Sequence, residues 1–466
     1  MNTTYIKLAS ALAVTLMGLS LYGCKGDDTL EPMQYIGADQ ITRLTVSPNS
    51  PVLVADGNSV LTLNVDAYYA YGTDEEGKPM EHRLLSDRMP LDDITITSST
   101  GETFKAGQTF STSNAGTGAI TFTASLPSGI KSTPVTVTLQ DPSEVSNDFP
   151  EYTIPVRFVI YYTEADEQGL TRGFTNEFIG KVLERVNKVF NGGITPLPSN
   201  GNIHTEFQLI DVKRYLIPEA EASDATADPA SFYSQKIMAG QEAADAASVL
   251  NIWVLPNSLN NSASVLEPMF TLGDPATIPF PQELYPVNAH SEIPDILSWE
   301  FWSEMTPTQM GITISYADFS QALTGSVSGL RLETLIGAFY GLRVPDDSLN
   351  SALETEEWLD TDYAPDTYTY RKQAATATNI RKTTYPNPAF NGGQSVTYDS
   401  FNVMDVPTPA YGITKSQAVR MRLVMEDIPY RKQATGGDSG DVLPEPEPTD
   451  PFDPWGGEGG DPFYGY

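Results

Sequence analysis

The sequence predicts a multidomain protein with an all-β sandwich first, a larger α+β domain after it, and an acidic tail with no fold of its own. Three observations carry this. At 466 residues the chain is long enough for two or three domains of ordinary size, each able to bury a core. From Ile41 to Leu139 apolar and polar residues alternate with period two, the mark of half-buried strands. Beyond Tyr152 the texture changes to continuous apolar runs separated by stretches with helical spacing.

Composition narrows the function classes. Apolar residues make up 40% of the chain, enough for packed cores. Acids outnumber bases 60 to 27, and a net charge of −33 makes nucleic acid and anionic bilayers poor partners. With a single cysteine, Cys24, there is no intramolecular disulfide and no cysteine-based zinc site. The three histidines, His82, His204 and His290, lie far apart, so no histidine-rich metal site is legible.

Residues 1–23 carry Lys7, then an uncharged apolar run over Leu8–Tyr22, then Gly23 before Cys24. The run is shorter than the roughly 20 residues a membrane-spanning helix needs, and reads as a secretory signal. Leu21 at −3 and Gly23 at −1 resemble the signal of bacterial lipoproteins, with Tyr22 bulkier than usual at −2. That resemblance implies acylation of Cys24, a stable lipid anchor, and residence in an outer membrane. Lys25-Gly26-Asp27-Asp28 is similar to a surface-export signal, which implies display on the cell surface. Residues 24–40, polar and bearing Gly and Pro, read as a tether.

In residues 41–145, Leu61, Leu63, Val65 and Ala67 interleave with Thr62, Asn64 and Asp66. Ile120, Phe122, Ala124 and Leu126 interleave with Thr121, Thr123 and Ser125, and Val135, Val137 and Leu139 repeat the scheme. Turn signals such as Asp56-Gly57-Asn58 and Pro127-Ser128-Gly129 punctuate them, as in a β-sandwich. The segment resembles the immunoglobulin-like modules of bacterial surface proteins. It reads as a spacer, since no aromatic-rich face extends beyond Tyr68, Tyr69 and Tyr71.

Asp141–Tyr152 reads as a polar linker, and residues 150–433 as the second domain. Ile154–Tyr162 is an apolar strand. Thr175–Phe190 is an amphipathic helix with Phe178, Ile179, Val182, Leu183, Val186, Val189 and Phe190 on one face, stopped by Gly192-Gly193. His204–Val212, Val249–Leu255 and Ile312–Tyr316 read as strands, and Ser328–Leu342 as a second helix. Thr414–Ile428 is a third, opened by a capping box of Thr414 and Gln417, with Ala418, Met421, Met425 and Ile428 inward. Residues 434–466 hold six Pro, eight Gly, eight acids and no base, too little apolar surface to fold alone.

This order of strand, helix, strands, helix, long loop, Met-containing turn and helix resembles a zincin metalloprotease domain. It is closest to the lipoprotein zinc metalloproteinases, metzincins of pappalysin-like arrangement. Leu250-Asn251-Ile252-Trp253-Val254 is similar to the family's sheet strand. Asn402-Val403-Met404-Asp405 resembles the Met-turn beneath the zinc, and Gly337-Ala338-Phe339-Tyr340-Gly341-Leu342 the end of the zinc helix. The family pattern H-E-x-x-H-x-x-G-x-x-H needs two histidines one helical turn apart and a glutamate that holds the attacking water. Anchored on Gly341, it falls on Thr334, Leu335, Ala338 and Val344, none of which offers an imidazole or carboxylate. Glu333 is one residue off, about 100° around the helix axis. The pattern is degenerate, so the resemblance implies a zincin-like domain without zinc and without catalysis.

After this helix, Glu354–Asp366 concentrates acids. It reads as a solvated acidic loop, or as a calcium site in which Asp360, Asp362 and Asp366 gather oxygens. Gly437-Asp438-Ser439-Gly440 copies a serine-protease motif by chance, in a tail that cannot preorganise a triad. The tail also repeats Asp-Pro-aromatic around Phe452, Trp455 and Phe463, which reads as a docking element for a membrane partner. The functional expectation is a surface lipoprotein that binds peptide or protein, as an accessory subunit of an outer-membrane transporter or uptake complex. Two alternatives stand beside it. One is an active zinc-dependent metalloprotease with ligands drawn from elsewhere, such as His204 or His290; the other is a structural or adhesion subunit.

Overall fold

The computed structural model describes residues 36–84, 90–116, 118–145, 147–166, 174–227, 248–256, 264–265, 311–324, 331–345, 362, 364–370, 381–384, 395–405, 411–427 and 435–436. Within them the chain is a mixed α/β protein of several sheets and few helices, arranged as more than one unit.

Among the described residues the first unit has nine strands in two facing sheets. They are β1 (Ile41–Pro48), β2 (Val52–Val54), β3 (Leu61–Thr73), β4 (Pro79–Arg83), β5 (Thr95–Ser98), β6 (Thr103–Lys105), β7 (Thr109–Phe110), β8 (Ala119–Ser125) and β9 (Val135–Gln140). One sheet runs β1-β3-β4, with β7 also on β3; the other runs β2-β9-β8-β5-β6. The period-two alternation is what fills the space between them: Leu61, Leu63, Val65 and Ala67 meet Ile96, Ile120, Phe122 and Val137 in one apolar cluster. Asp66 departs from the alternation. Expected among the outward polar residues, it is buried, because Arg381 of the second unit reaches it at 2.9 Å.

The second unit is built on β10 (Tyr152–Tyr162), β11 (Thr205–Leu216), β12 (Leu250–Leu255), β13 (Ser264–Val265) and β14 (Ile312–Ser315). Among the described residues their order is β11-β10-β12-β14-β13; the first four are parallel, and β13 pairs antiparallel with β14. Near-continuous burial along β10 and β12 explains their unbroken apolar runs, since parallel strands are covered on both faces. One cover is α1 (Asn176–Phe190), whose Ile179, Val182, Leu183, Val186, Val189 and Phe190 are buried and whose first turn is capped by the Thr175 hydroxyl. Burial of each such side chain stabilises by about 1.5–3 kcal/mol before entropy is counted. α2 (Glu219–Ala227), α3 (Tyr316–Ser320), α4 (Leu332–Phe339) and α5 (Lys415–Asp427) follow, with a ribbon of β15 (Arg381–Thr383) and β16 (Thr397–Asp399). The expected capping box of α5 forms in full: Thr414 N–H donates to Gln417 Oε1 at 3.1 Å, and Gln417 N–H to Thr414 Oγ1 at 3.3 Å.

Several boundaries move. The strand expected from His204 starts at Thr205, because His204 is in the left-handed region with φ of 49° and cannot continue a ladder. The helix expected over Ser328–Leu342 is α4, which ends at Phe339. The tail expected from Ala434 opens with β17 (Thr435–Gly436), which pairs antiparallel with Tyr152 and Thr153 of β10.

The two units are docked on each other. Val54 N–H donates to Pro198 O and Val60 N–H to Leu197 O, both at 2.9 Å, so the loop before β11 pairs with the sandwich. Lys415 Nζ donates to Val145 O at 3.1 Å, and Asn147 is buried, which fixes the connecting segment itself. Arg381 lies between Asp66 and Asp399 at 2.9 and 3.2 Å. Burial works against its charge, and the two carboxylates more than offset this, holding its pKa above the ordinary value.

Candidate functional site

The candidate site is the contact between α4 and the turn at Asn402–Asp405. α4 is apolar nearly all round, and accordingly only Ala338 among its residues is not buried. Leu332, Leu335, Ile336 and Phe339 join the cluster under the sheet. The helix stops because Gly341 adopts φ of 86°, open to a residue without Cβ. Leu342 N–H then reaches back to Gly337 O at 2.8 Å and Gly341 N–H to Ala338 O at 3.0 Å, the paired bonds of a Schellman motif. Arg420 of α5 donates through Nε to the Gly341 carbonyl and ties the helix end to the next element.

The facing turn is equally determined. Asp405 N–H donates to Asn402 O at 3.1 Å, closing the turn, and Met404 N–H to Asn402 Oδ1 at 2.9 Å. The Asn402 amide is held by Gln417 Oε1 at 2.8 Å, the same oxygen that caps α5. The Asp405 carboxylate accepts from the Ser400 hydroxyl. Met404 is buried beneath the helix, and a Cβ at Gly337 would stand 2.8 Å from its sulfur. The turn thus meets α4 through Met404, packed against Gly337, and through the Val403 carbonyl.

At the degenerate positions, Thr334 is buried and its hydroxyl donates to Val403 O at 2.7 Å. Leu335 is buried in the core, while Ala338 and Val344, on either side of the glycine turn, are half-buried. Zinc needs three or four nitrogen, sulfur or oxygen ligands converging at about 2 Å. These positions offer one hydroxyl, already spent on a carbonyl, and three hydrocarbon side chains. The residues present do not fit the metal. Among the described residues no three His, Cys, Asp or Glu side chains form a metal-sized group.

Glu333, the carboxylate nearest the pattern, is turned elsewhere. It is 1% exposed, and its Oε1 accepts from Arg185 Nε of α1 at 2.6 Å. Its Oε2 is buried without a hydrogen-bond partner among the described residues. Arg331, also buried, has its pKa lowered chiefly by desolvation; Glu333 works against that and Arg185 adds to it.

The acidic loop is corrected most. Asp362 and Asp366 are buried, not solvated. Asp362 accepts from the Thr367 hydroxyl at 2.8 Å. Asp366 accepts from the Thr414 hydroxyl at 2.6 Å, the Ser199 hydroxyl at 3.0 Å and Ser416 N–H at 3.1 Å. Burial raises the Asp366 pKa, and these donors offset it only in part. Asp366 is a knot joining the loop before β11, the start of α5 and its own turn. Asp360, the third expected calcium ligand, lies outside the described residues, as do Cys24, His290, Phe452, Trp455 and Phe463. His204 is half-buried and ends the connection into β11, and His82 sits on β4 between the rings of Tyr69 and Tyr71.

Sequence reasoning missed Arg185, Arg420 and Gln417 as parts of this site. Arg185 lies on the polar face of an amphipathic helix, where a charge reads as solvated, and its partner is 148 positions away. Gln417 carried a signal, since its capping role was legible; its second bond to Asn402 was not.

No family profile matches the chain, and no curated protein matches it. Among solved structures, the chain is similar to the crystal structure of metalloproteinase-II from Bacteroides fragilis, at 9% identity and a TM-score of 0.25, over 78% of this chain and 88% of that one.

Proposed function

We propose that this chain is a surface lipoprotein whose second unit is a metalloprotease-like scaffold used for binding, holding an extended peptide or protein segment without cutting it. The observation that carries the reading is the 2.7 Å bond from Thr334 to Val403 O, in the place where the resemblance requires a metal-binding imidazole. Two features support the binding half. Among the described residues β13 is the last strand in the sheet order, antiparallel to β14, and packs beside α4. An extended segment adds to such an edge through main-chain hydrogen bonds that need no metal. Anchoring through Cys24 in the outer membrane, surface exposure, and docking of Phe452, Trp455 and Phe463 to a transporter belong to the same proposal and rest on the sequence.

Purified full-length protein tests it. Elemental analysis should find no stoichiometric zinc, casein should remain uncleaved with or without chelator, and unfolded casein peptides should be retained. One zinc per chain with chelator-sensitive cleavage would establish the active-protease alternative. Absence of both cleavage and retention would favour the structural subunit.

A further inference from the structure

The outer face of the sandwich sheet β2-β9-β8-β5-β6 carries a groove of about 340 Å³, within the size range of small-ligand sites. The hydroxyl side chains of Thr97, Ser99, Thr121, Thr123 and Ser125 line it, together with Lys131 and the ring of Pro134. Strand pairing sets these residues in transverse rows. In one row Lys105 of β6 pairs with Thr95, Thr95 with Ser125, and Ser125 with Lys131, so a lysine stands at each end. In the next, Thr103 pairs with Thr97 and Thr97 with Thr123. In a third, Thr121 pairs with Thr136 and Thr121 N–H donates to the Ser99 hydroxyl at 3.1 Å. No acid occurs in any row, in a chain of net charge −33. The hydroxyls of Thr97 and Thr123 have no hydrogen-bond partner among the described residues, whereas Lys105 Nζ already lies 3.4 Å from Thr95 Oγ1.

We propose that this face binds a short acidic oligosaccharide, a chain of sugars bearing carboxylates. Each threonine hydroxyl both donates and accepts, as sugar hydroxyls do, so a grid of them satisfies a polyol in either sense. β-branching restricts χ1, so the hydroxyls are held in place at little entropic cost. Three strand spacings separate Lys105 from Lys131, about 14 Å between their Cα atoms, so two carboxylates on one ligand are each given a cation. Main-chain groups on this face are committed to the ladders, which argues against strand addition by a peptide. The acidity of the remaining surface is screened beyond about 8 Å at physiological salt and does not cancel the local attraction.

Calorimetric titration of the full-length protein with a galacturonate oligomer tests this. Saturable binding that weakens with salt is expected, together with about threefold to fivefold loss for K105A or K131A and about tenfold for the pair. T97V/T123V, which keeps side-chain shape on a solvent face, should also lose about tenfold while melting like the wild type. The neutral oligomer with its carboxylates reduced should bind more weakly than the acid form. Absence of saturable binding at millimolar oligomer, unchanged affinity in K105A/K131A, or equal binding of inorganic polyphosphate would overturn the proposal.

Discussion

Replacing Arg185 with methionine isolates the energetics that hold α4 in place. The change keeps an unbranched apolar stem and removes the guanidinium whose Nε lies 2.6 Å from Glu333 Oε1. Glu333 is 1% exposed and its second oxygen already lacks a partner among the described residues, so R185M leaves a buried carboxylate without its ion pair. Loss of one member of a buried pair costs about 3–5 kcal/mol, because the remaining charge keeps its desolvation penalty and loses its compensation. Two features place the expectation at the lower end, about 3 kcal/mol. Arg185 is itself 25% exposed, so water can reach the vacated volume, and Arg331 contributes a second positive charge nearby. E333L alone should cost less, since the arginine left behind can turn to solvent. R185M/E333L should recover most of the loss, with a coupling of about 1–3 kcal/mol, as both polar partners are then gone. The assay is urea denaturation followed by tryptophan fluorescence. All five tryptophans lie at position 253 or beyond, so the signal reports the second unit and its tail, not the sandwich. A midpoint for R185M within error of the wild type, or additive losses in the double variant, would refute the assignment.

Four further outcomes follow from the same geometry. T334V should lower stability by about 1–3 kcal/mol in the same assay, since the buried Val403 carbonyl loses a donor at 2.7 Å, while T334S should stay close to the wild type. Because burial raises the folded-state pKa of Asp366, folding binds a proton there; its contribution is greatest at low pH and is lost as pH rises above the ordinary aspartate value of about 3.9 and through the raised folded value. The stability of wild type relative to D366N should therefore decline across that window in pH-dependent denaturation. H204G should be neutral or stabilising by up to about 1 kcal/mol, because φ of 49° suits glycine, whereas H204V should be clearly destabilising by thermal melting. Grafting T334H/L335E/A338H/V344H should give zinc binding by equilibrium dialysis without turnover of casein, because the surrounding hydrogen bonds serve Thr334 and not an imidazole.

What the sequence determined by itself is the set of local structures whose causes lie within a turn or a strand. The apolar spacing from Phe178 to Phe190 and the Thr175 cap specify α1, because a helix brings residues three and four apart onto one face. The Thr414–Gln417 box specifies the start of α5. Alternation along Leu61–Ala67 specifies which side of β3 faces the core. Gly341 marked the end of α4, although the apolar run through Leu342 extended the expected helix past it; a left-handed glycine outweighs hydrophobic spacing.

Tertiary structure alone decided the fate of the polar side chains. Nothing near Asp366 announces that Ser199, Thr414 and Ser416 will converge on it, and a run of acids read alone looks solvated. Glu333 depends on Arg185, Asp66 on Arg381, and the docking of sandwich on sheet depends on Leu197 and Pro198 meeting Val60 and Val54. The physical reason is the cost of burying charge. An apolar residue goes inside wherever a face is covered, so its position follows from period alone. A carboxylate goes inside only where donors from other segments await it, and those donors are placed by the fold.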